Sequence, residues 1–234
     1  MRQVFLDTET TGLSPDSGDR LVEIGCLEMV NRRLTGRNLH FYVNPERPCN
    51  EEATRIHGLT DEFLADKPRF AEIADELVRY LDGVEVIIHN APFDVGFLDA
   101  EFKRTARGSL RGMVAKVTDT LTMAREMFPG KSNSLDALCR RLEVDNSNRT
   151  LHGALLDAGL LAEVYVRMTR GQDTLVIEAA SSHAVAGADV TATEFNHLDL
   201  VAVTVDTDEL RAHEAVLDEL DKASSGKTVW RRLA

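Results

Sequence analysis

The sequence predicts a mixed α/β domain followed by a small tethered C-terminal segment. Residues 2–43 hold three β-rich runs in succession, residues 70–168 alternate helical spacing with short apolar runs, and that pattern stops at Arg170. Strands first, then helices alternating with strands, imply one mixed sheet with helices packed on it.

Residues 2–8 (RQVFLDT) are short and β-rich and read as a first strand. Residues 20–29 and 33–43 read as two further strands joined at Asn31-Arg32, until Pro45 and Pro48 break the pattern. Three strands in sequence suggest an antiparallel meander on one edge of the sheet. Over 70–81, Phe70, Ile73, Ala74, Leu77 and Leu81 share a helical face, with Gly83 where a C-cap belongs. Residues 84–88 (VEVII) form a buried strand, and a helix starts near Pro92, where the missing N–H costs nothing. A strand-like piece follows at 113–118, then helices near 119–127, 134–142 and 153–168.

Beyond Arg170 the period is lost. Residues 178–195, rich in Ala, Ser, Thr and Val, read as a flexible tether. Residues 199–205 and 207–223 then resemble one strand and one amphipathic helix, too little to bury a core of their own. The expected organisation is a domain over 1–172, a tether over 173–195 and a docking segment over 196–234. Residues 178–234 are expected to be unordered without a partner.

A chain of 234 residues fits this plan. No run of about 18 apolar residues exists, so no transmembrane helix is expected. The start, MRQVFLDTET, enters a strand pattern and not a secretory signal. Cys26, Cys49 and Cys139 lack paired spacing and read as reduced thiols in a cytoplasmic protein. The formal charge is -12, whereas a protein that grips nucleic acid by phosphate neutralisation alone is usually basic. Either nucleic acid is not the substrate, or cations and a partner supply the positive charge.

Asp7 and Glu9 stand two apart on a strand, so both carboxylates face one side. Like charges placed together destabilise a fold unless a cation sits between them, and oxygen ligands of this kind suit Mg²⁺ or Mn²⁺. Asp94 follows His89-Asn90 at a strand-to-helix junction, where an acid also interacts favourably with the helix dipole. Asp157 lies in a mainly apolar helix, so it faces solvent, a basic partner or a metal. His152 sits about 140° around that helix from Asp157, so a shared site places it in the loop before the helix. There it suits a general base.

In this order, DTETTGL (7–13), HNAPFDVGFL (89–98) and HGALLDA (152–158) resemble the three motifs of the DEDDh family of 3′→5′ exonucleases. IHGLT (56–60), NSLDALC (133–139), the run leading into His152 and the late Trp230 resemble the proofreading branch that serves bacterial DNA polymerase III. The resemblance implies a ribonuclease-H-like fold, with Asp7, Glu9, Asp94 and Asp157 holding two Mg²⁺ or Mn²⁺ ions and His152 as base. It implies that Thr10, Glu52, His57 and Asn90, with Asp7, Glu9 and Asp157, contact the terminal nucleotide of a DNA 3′ end. It also implies docking of the tail, with Trp230 as an anchor, on the polymerase III alpha subunit, and leaves open a small third core subunit. Gln172, Leu175 and Ile177 resemble a peptide that binds sliding clamps. Two alternatives stand beside this: an RNA 3′-trimming enzyme with the same chemistry, and a non-catalytic subunit that stabilises the replication assembly.

Overall fold

The computed structural model describes residues 2–147, 149, 151–170, 206–224 and 230. The chain divides into two units, Met1–Ile177 and Glu178–Ala234.

The first unit is built on a six-stranded sheet: β1 (Arg2–Thr10), β2 (Leu21–Val30), β3 (Arg33–Leu34), β4 (Leu39–Tyr42), β5 (Glu85–Ile88) and β6 (Lys116–Asp119). The order is β3-β2-β1-β5-β6, with β4 also paired to β2. β2 runs antiparallel to β1, β3 and β4. β1, β5 and β6 run parallel. The meander edge is therefore present, with Asn31 and Arg32 both at positive φ (49° and 62°) in its first tight turn, as a two-residue hairpin requires.

The single strand expected over 33–43 is broken in two. Glu28 takes the Thr35 hydroxyl at 2.8 Å and the Arg37 guanidinium at 2.8 Å, which draws residues 35–38 off the ladder around Gly36.

Helices α1 (Glu51–His57) and α2 (Asp61–Leu64) fill a stretch that sequence reading leaves without an element. The Asn50 side chain accepts from the Glu52 N–H, and Gly58 closes α1 at φ 76°. Thr60 caps α2 in the same way. Each helix buries only one side chain, His57 and Leu64 respectively, so neither carries a stripe that periodicity would reveal.

The remaining helices of this unit are α3 (Phe70–Leu81), α4 (Ala91–Arg104), α5 (Leu110–Met113), α6 (Thr120–Met127), α7 (Leu135–Arg141) and α8 (Ala154–Met168). α3 matches its expected bounds and buries its five predicted residues. The strand expected over 113–118 lies later, because residues 110–113 form the helical turn α5 first.

Strand alternation divides the core into two layers. Val4, Leu6, Val86 and Ile88 face α3 and α4, against Phe70, Leu77, Phe97 and Phe102. Phe5 and Ile87 face α6, α7 and α8, against Leu138, Leu161 and Val164. Gly25 of β2, paired with Asp7, lets α8 begin almost on the sheet: a Cβ there would stand 2.3 Å from the backbone of Ala154 and Leu155.

In the second unit, α9 (Thr207–Ser224) forms close to the expected helix. It leaves Leu210, Val216 and Leu220 exposed, as is Trp230. The expected strand over 199–205 and the peptide of Gln172, Leu175 and Ile177 lie outside the described residues. Cys26, Cys49 and Cys139 are free thiols. No described helix is long and apolar enough to cross a membrane.

Candidate active site

The site lies at the carboxyl ends of the parallel strands, where crevices form in open α/β sheets. Asp7 and Glu9 project from the α8 side of β1. Between them Thr8 points to the other layer and donates its hydroxyl to Asp94 Oδ1 at 2.7 Å. Asp94 sits in the first turn of α4, with Asn90 before it in the left-handed region at φ 68°. Asn90 is held there by its N–H to Asp119 Oδ1 at 3.1 Å. Asp157 comes from the first turn of α8, brought close by the glycine at position 25.

His152 lies before Gly153, the N-cap of α8, so it is in the loop as its spacing from Asp157 demands. Its own N–H donates to Ile56 O at 3.1 Å, which ties this loop to α1. One donor atom each from Glu9, His152 and Asp157 lies within 4.8 Å of the others.

Asp7, Glu9, Asn90, Asp94, His152 and Asp157 line one cavity of about 690 Å³. Thr10, Glu52 and His57 line a second, of about 270 Å³. Thr8, Glu9 and Phe93 belong to both walls, so the two cavities adjoin. Glu52 is exposed on α1. His57 is buried; its Nδ1 accepts from the Leu59 N–H at 3.0 Å while its Nε2 has no partner. Burial pushes the His57 imidazole below its usual range, against an upward pull from the Thr10 backbone; with Nδ1 accepting from Leu59, the neutral ring carries its proton on Nε2. The Thr10 hydroxyl donates to Gly12 O at 2.5 Å and so has only acceptor capacity left.

The acids are short of positive charge. Burial and then the repulsion of Asp94, Asp157 and Glu9 push Asp7 well above the carboxylate range. Burial, with Asp157, Glu23 and Asp94, raises Glu9 to about 8. Burial raises Asp94 to about 7 in spite of the Thr8 hydrogen bond. Buried carboxylates this close together are stable as anions only with a cation among them. Their donor set is oxygen plus one imidazole, which fits a hard divalent ion.

Among the described residues, one guanidinium is bonded to this cluster. Arg149 grips Asp157 through Nε–Oδ1 and Nη2–Oδ2, both at 2.6 Å. Its Nη1 donates to Asp136 Oδ1 at 2.7 Å, and Nη2 lies 3.0 Å from His152 Nδ1. Sequence reading gives Arg149, Asp136 and Thr8 no role. Thr8 is legible in hindsight, since a hydroxyl between two site acids on a strand must face the opposite layer. Arg149 comes from a loop that no periodicity locates.

Residues 4–165 match the protein family described as exonuclease. The chain belongs to the exonuclease family. Among relatives, DNA polymerase III subunit epsilon of Pasteurella multocida is 51% identical, over 100% of this chain and 95% of that protein. The Escherichia coli K12 protein of the same name is 49% identical, over 98% and 97%. The structure of exonuclease X in complex with 5′-overhanging duplex DNA superposes with TM-score 0.55 at 26% identity, over 71% of this chain and 90% of that one. Product-bound exonuclease I shares the fold at TM-score 0.62 and 17% identity, over 74% and 44%.

This exonuclease is a 3′→5′ enzyme of the epsilon type, and its ribonuclease-H-like mixed sheet agrees with the expected fold. The resemblance read from the three motifs holds over the whole chain. Catalysis in this fold family depends on divalent metal.

Proposed function

We propose that this exonuclease removes nucleotides singly from DNA 3′ ends to proofread a replicative polymerase, releasing 5′-mononucleotides. The observation that carries the proposal is the placement of Asp7, Glu9, Asp94 and Asp157, from three separate elements, around one cavity beside a nucleotide-sized second cavity. These four acids hold the metal, taken to be two Mg²⁺ or Mn²⁺ ions. Bound there, such ions supply positive charge to the attacking and leaving oxygens of an in-line displacement.

The chain's own residues do the rest. His152 sits in a loop and not within a helix, with its ring beside Glu9 and Asp157, where it accepts the proton of a water. The smaller cavity holds the terminal nucleotide. His57 Nε2–H, buried without a partner, is a donor waiting for a substrate oxygen. Glu52, Thr10 and Asn90 line the rest of the path, and Phe93 separates the two compartments. Fixing the terminal nucleotide in one compartment sets the scissile phosphate at the other, which is where positioning accelerates the reaction.

The acidic net charge agrees with this division of labour, since ions neutralise the scissile phosphate and stable DNA holding falls to a partner. The partner is the polymerase III alpha subunit, bound through residues 196–234 with Trp230, 70% exposed, among the contacts. Residues 173–195 act as tether, and Gln172, Leu175 and Ile177 contact a sliding clamp. Tethering raises the effective concentration of a weakly binding nuclease at the primer end. This work is done in the cytoplasm.

The test uses the purified chain with Mg²⁺, a labelled DNA primer with a mispaired 3′ end and the matching RNA. Stepwise loss of DNA, abolished by EDTA and weaker on RNA, is expected. Preference for RNA would replace proofreading with RNA trimming.

A further inference from the structure

We propose that Arg149 is an internal latch: its guanidinium covers both oxygens of Asp157 and competes with a divalent ion for that carboxylate. The inference rests on the reading of the four acids as metal ligands.

The geometry is that of a two-pronged grip. Nε and Nη2 each lie 2.6 Å from a different Asp157 oxygen, and both side chains are buried, at 7% and 3% exposure. A guanidinium on both oxygens and a divalent ion beside them are like charges drawing on the same carboxylate, so each weakens the other's hold. The second anchor gives the guanidinium somewhere to go. Asp136 Oδ1 holds Nη1 at 2.7 Å from α7, and the Asp136 side chain is 44% exposed, on the outer wall of the same cavity. Arg149 lies between α7 and α8 and not within a helix, so no helical hydrogen bond fixes its backbone.

The latch holds a second group. Arginine only donates, so the 3.0 Å contact from Nη2 occupies the His152 Nδ1 lone pair. One displacement therefore frees the Asp157 carboxylate and the Nδ1 lone pair of His152 together.

The experiment is calorimetric titration of Mn²⁺ into the full chain without DNA, together with thermal melts, for the unsubstituted protein and Arg149→Gln. Mn²⁺ is expected to bind the variant about tenfold more tightly, because the latched fraction no longer reduces apparent affinity. Without metal, Arg149→Gln is expected to melt lower by on the order of 5 °C; with saturating Mn²⁺ the two melt alike. A purely structural arginine would lower both melts equally and leave Mn²⁺ affinity unchanged, and that result overturns the latch. Arg149→Lys keeps the charge without the fork and carries the test if the glutamine variant does not fold; its Mn²⁺ affinity is expected between the other two. No Mn²⁺ binding by the unsubstituted chain would overturn the metal-ligand reading itself. Binding that neither substitution tightens overturns the latch alone.

Discussion

At the end of the sheet near Gln3 and Val4, Glu28 and Glu85 are buried with every oxygen matched. Glu28 takes Arg2, Thr35 and Arg37, and Glu85 takes Gln3, Lys116 and Thr118. Burial alone would raise Glu28, but these hydrogen bonds hold it down at about 2. They likewise keep Glu85 below its usual range. At the other end of β1, half-buried Asp7 and buried Glu9, with Asp94 of α4 beside them, have far fewer donors and are pushed upward. The same residue type in the same sheet is structural where donors surround it and reactive where they are withheld.

That contrast predicts opposite consequences for substitution. Asp7→Asn is expected to lower exonuclease activity on the order of a thousandfold, because it removes a ligand where charge develops. The metal-free melting temperature should stay level or rise, since a repelling acid has gone. A metal-free melting temperature that falls sharply would make Asp7 a structural acid like Glu28. Next in size, His152→Gln should slow cleavage about a hundredfold while Mn²⁺ titration shows the acids still binding metal. Unchanged activity would remove His152 from the proton transfer.

Gly25→Ala tests how the two ends are held at one spacing. A methyl 2.3 Å from the α8 backbone has no soft neighbour to displace. A loss of about 3 kcal/mol in urea unfolding is expected, with activity falling as Asp157 moves out. The smallest effect is on pH dependence. Acids raised in the folded state contribute their full stability below the unfolded carboxylate range, near 4, and lose it as pH climbs toward the folded values of about 7 and 8. Glu28 runs the other way: its contribution is full above that range and disappears as pH falls toward about 2. Without metal, the melting temperature should therefore decline between about pH 5 and 8, and saturating Mn²⁺ should flatten the slope. A metal-free melting temperature that rises over this interval would contradict the reading.

The helix over 70–81 was legible because five buried residues recur on one face. The strands were legible because their runs are short, β-rich and bounded by turn residues. α1 and α2 were not, since each is fixed by capping side chains and buries one residue. The split between β3 and β4 depends on a glutamate that reaches across from β2, which no local pattern encodes. The four acids were legible as a set because motif order compresses three-dimensional proximity into spacing. Arg149 was written in the same run of residues, yet its partner is chosen by a loop conformation, and loops carry no period.

The alternation of β1 has one further consequence. Thr8 serves Asp94 in one helical layer while Asp7 and Glu9 serve Asp157 in the other. Inserting or deleting one residue between Val4 and Asp7 would swap every later side chain of β1 to the wrong layer, sending both acids into the α4 packing and Thr8 to the α8 side. This stretch of the gene can thus diverge by substitution but not by change of length, and a lineage that altered its reading length here would lose ligands and core in a single event.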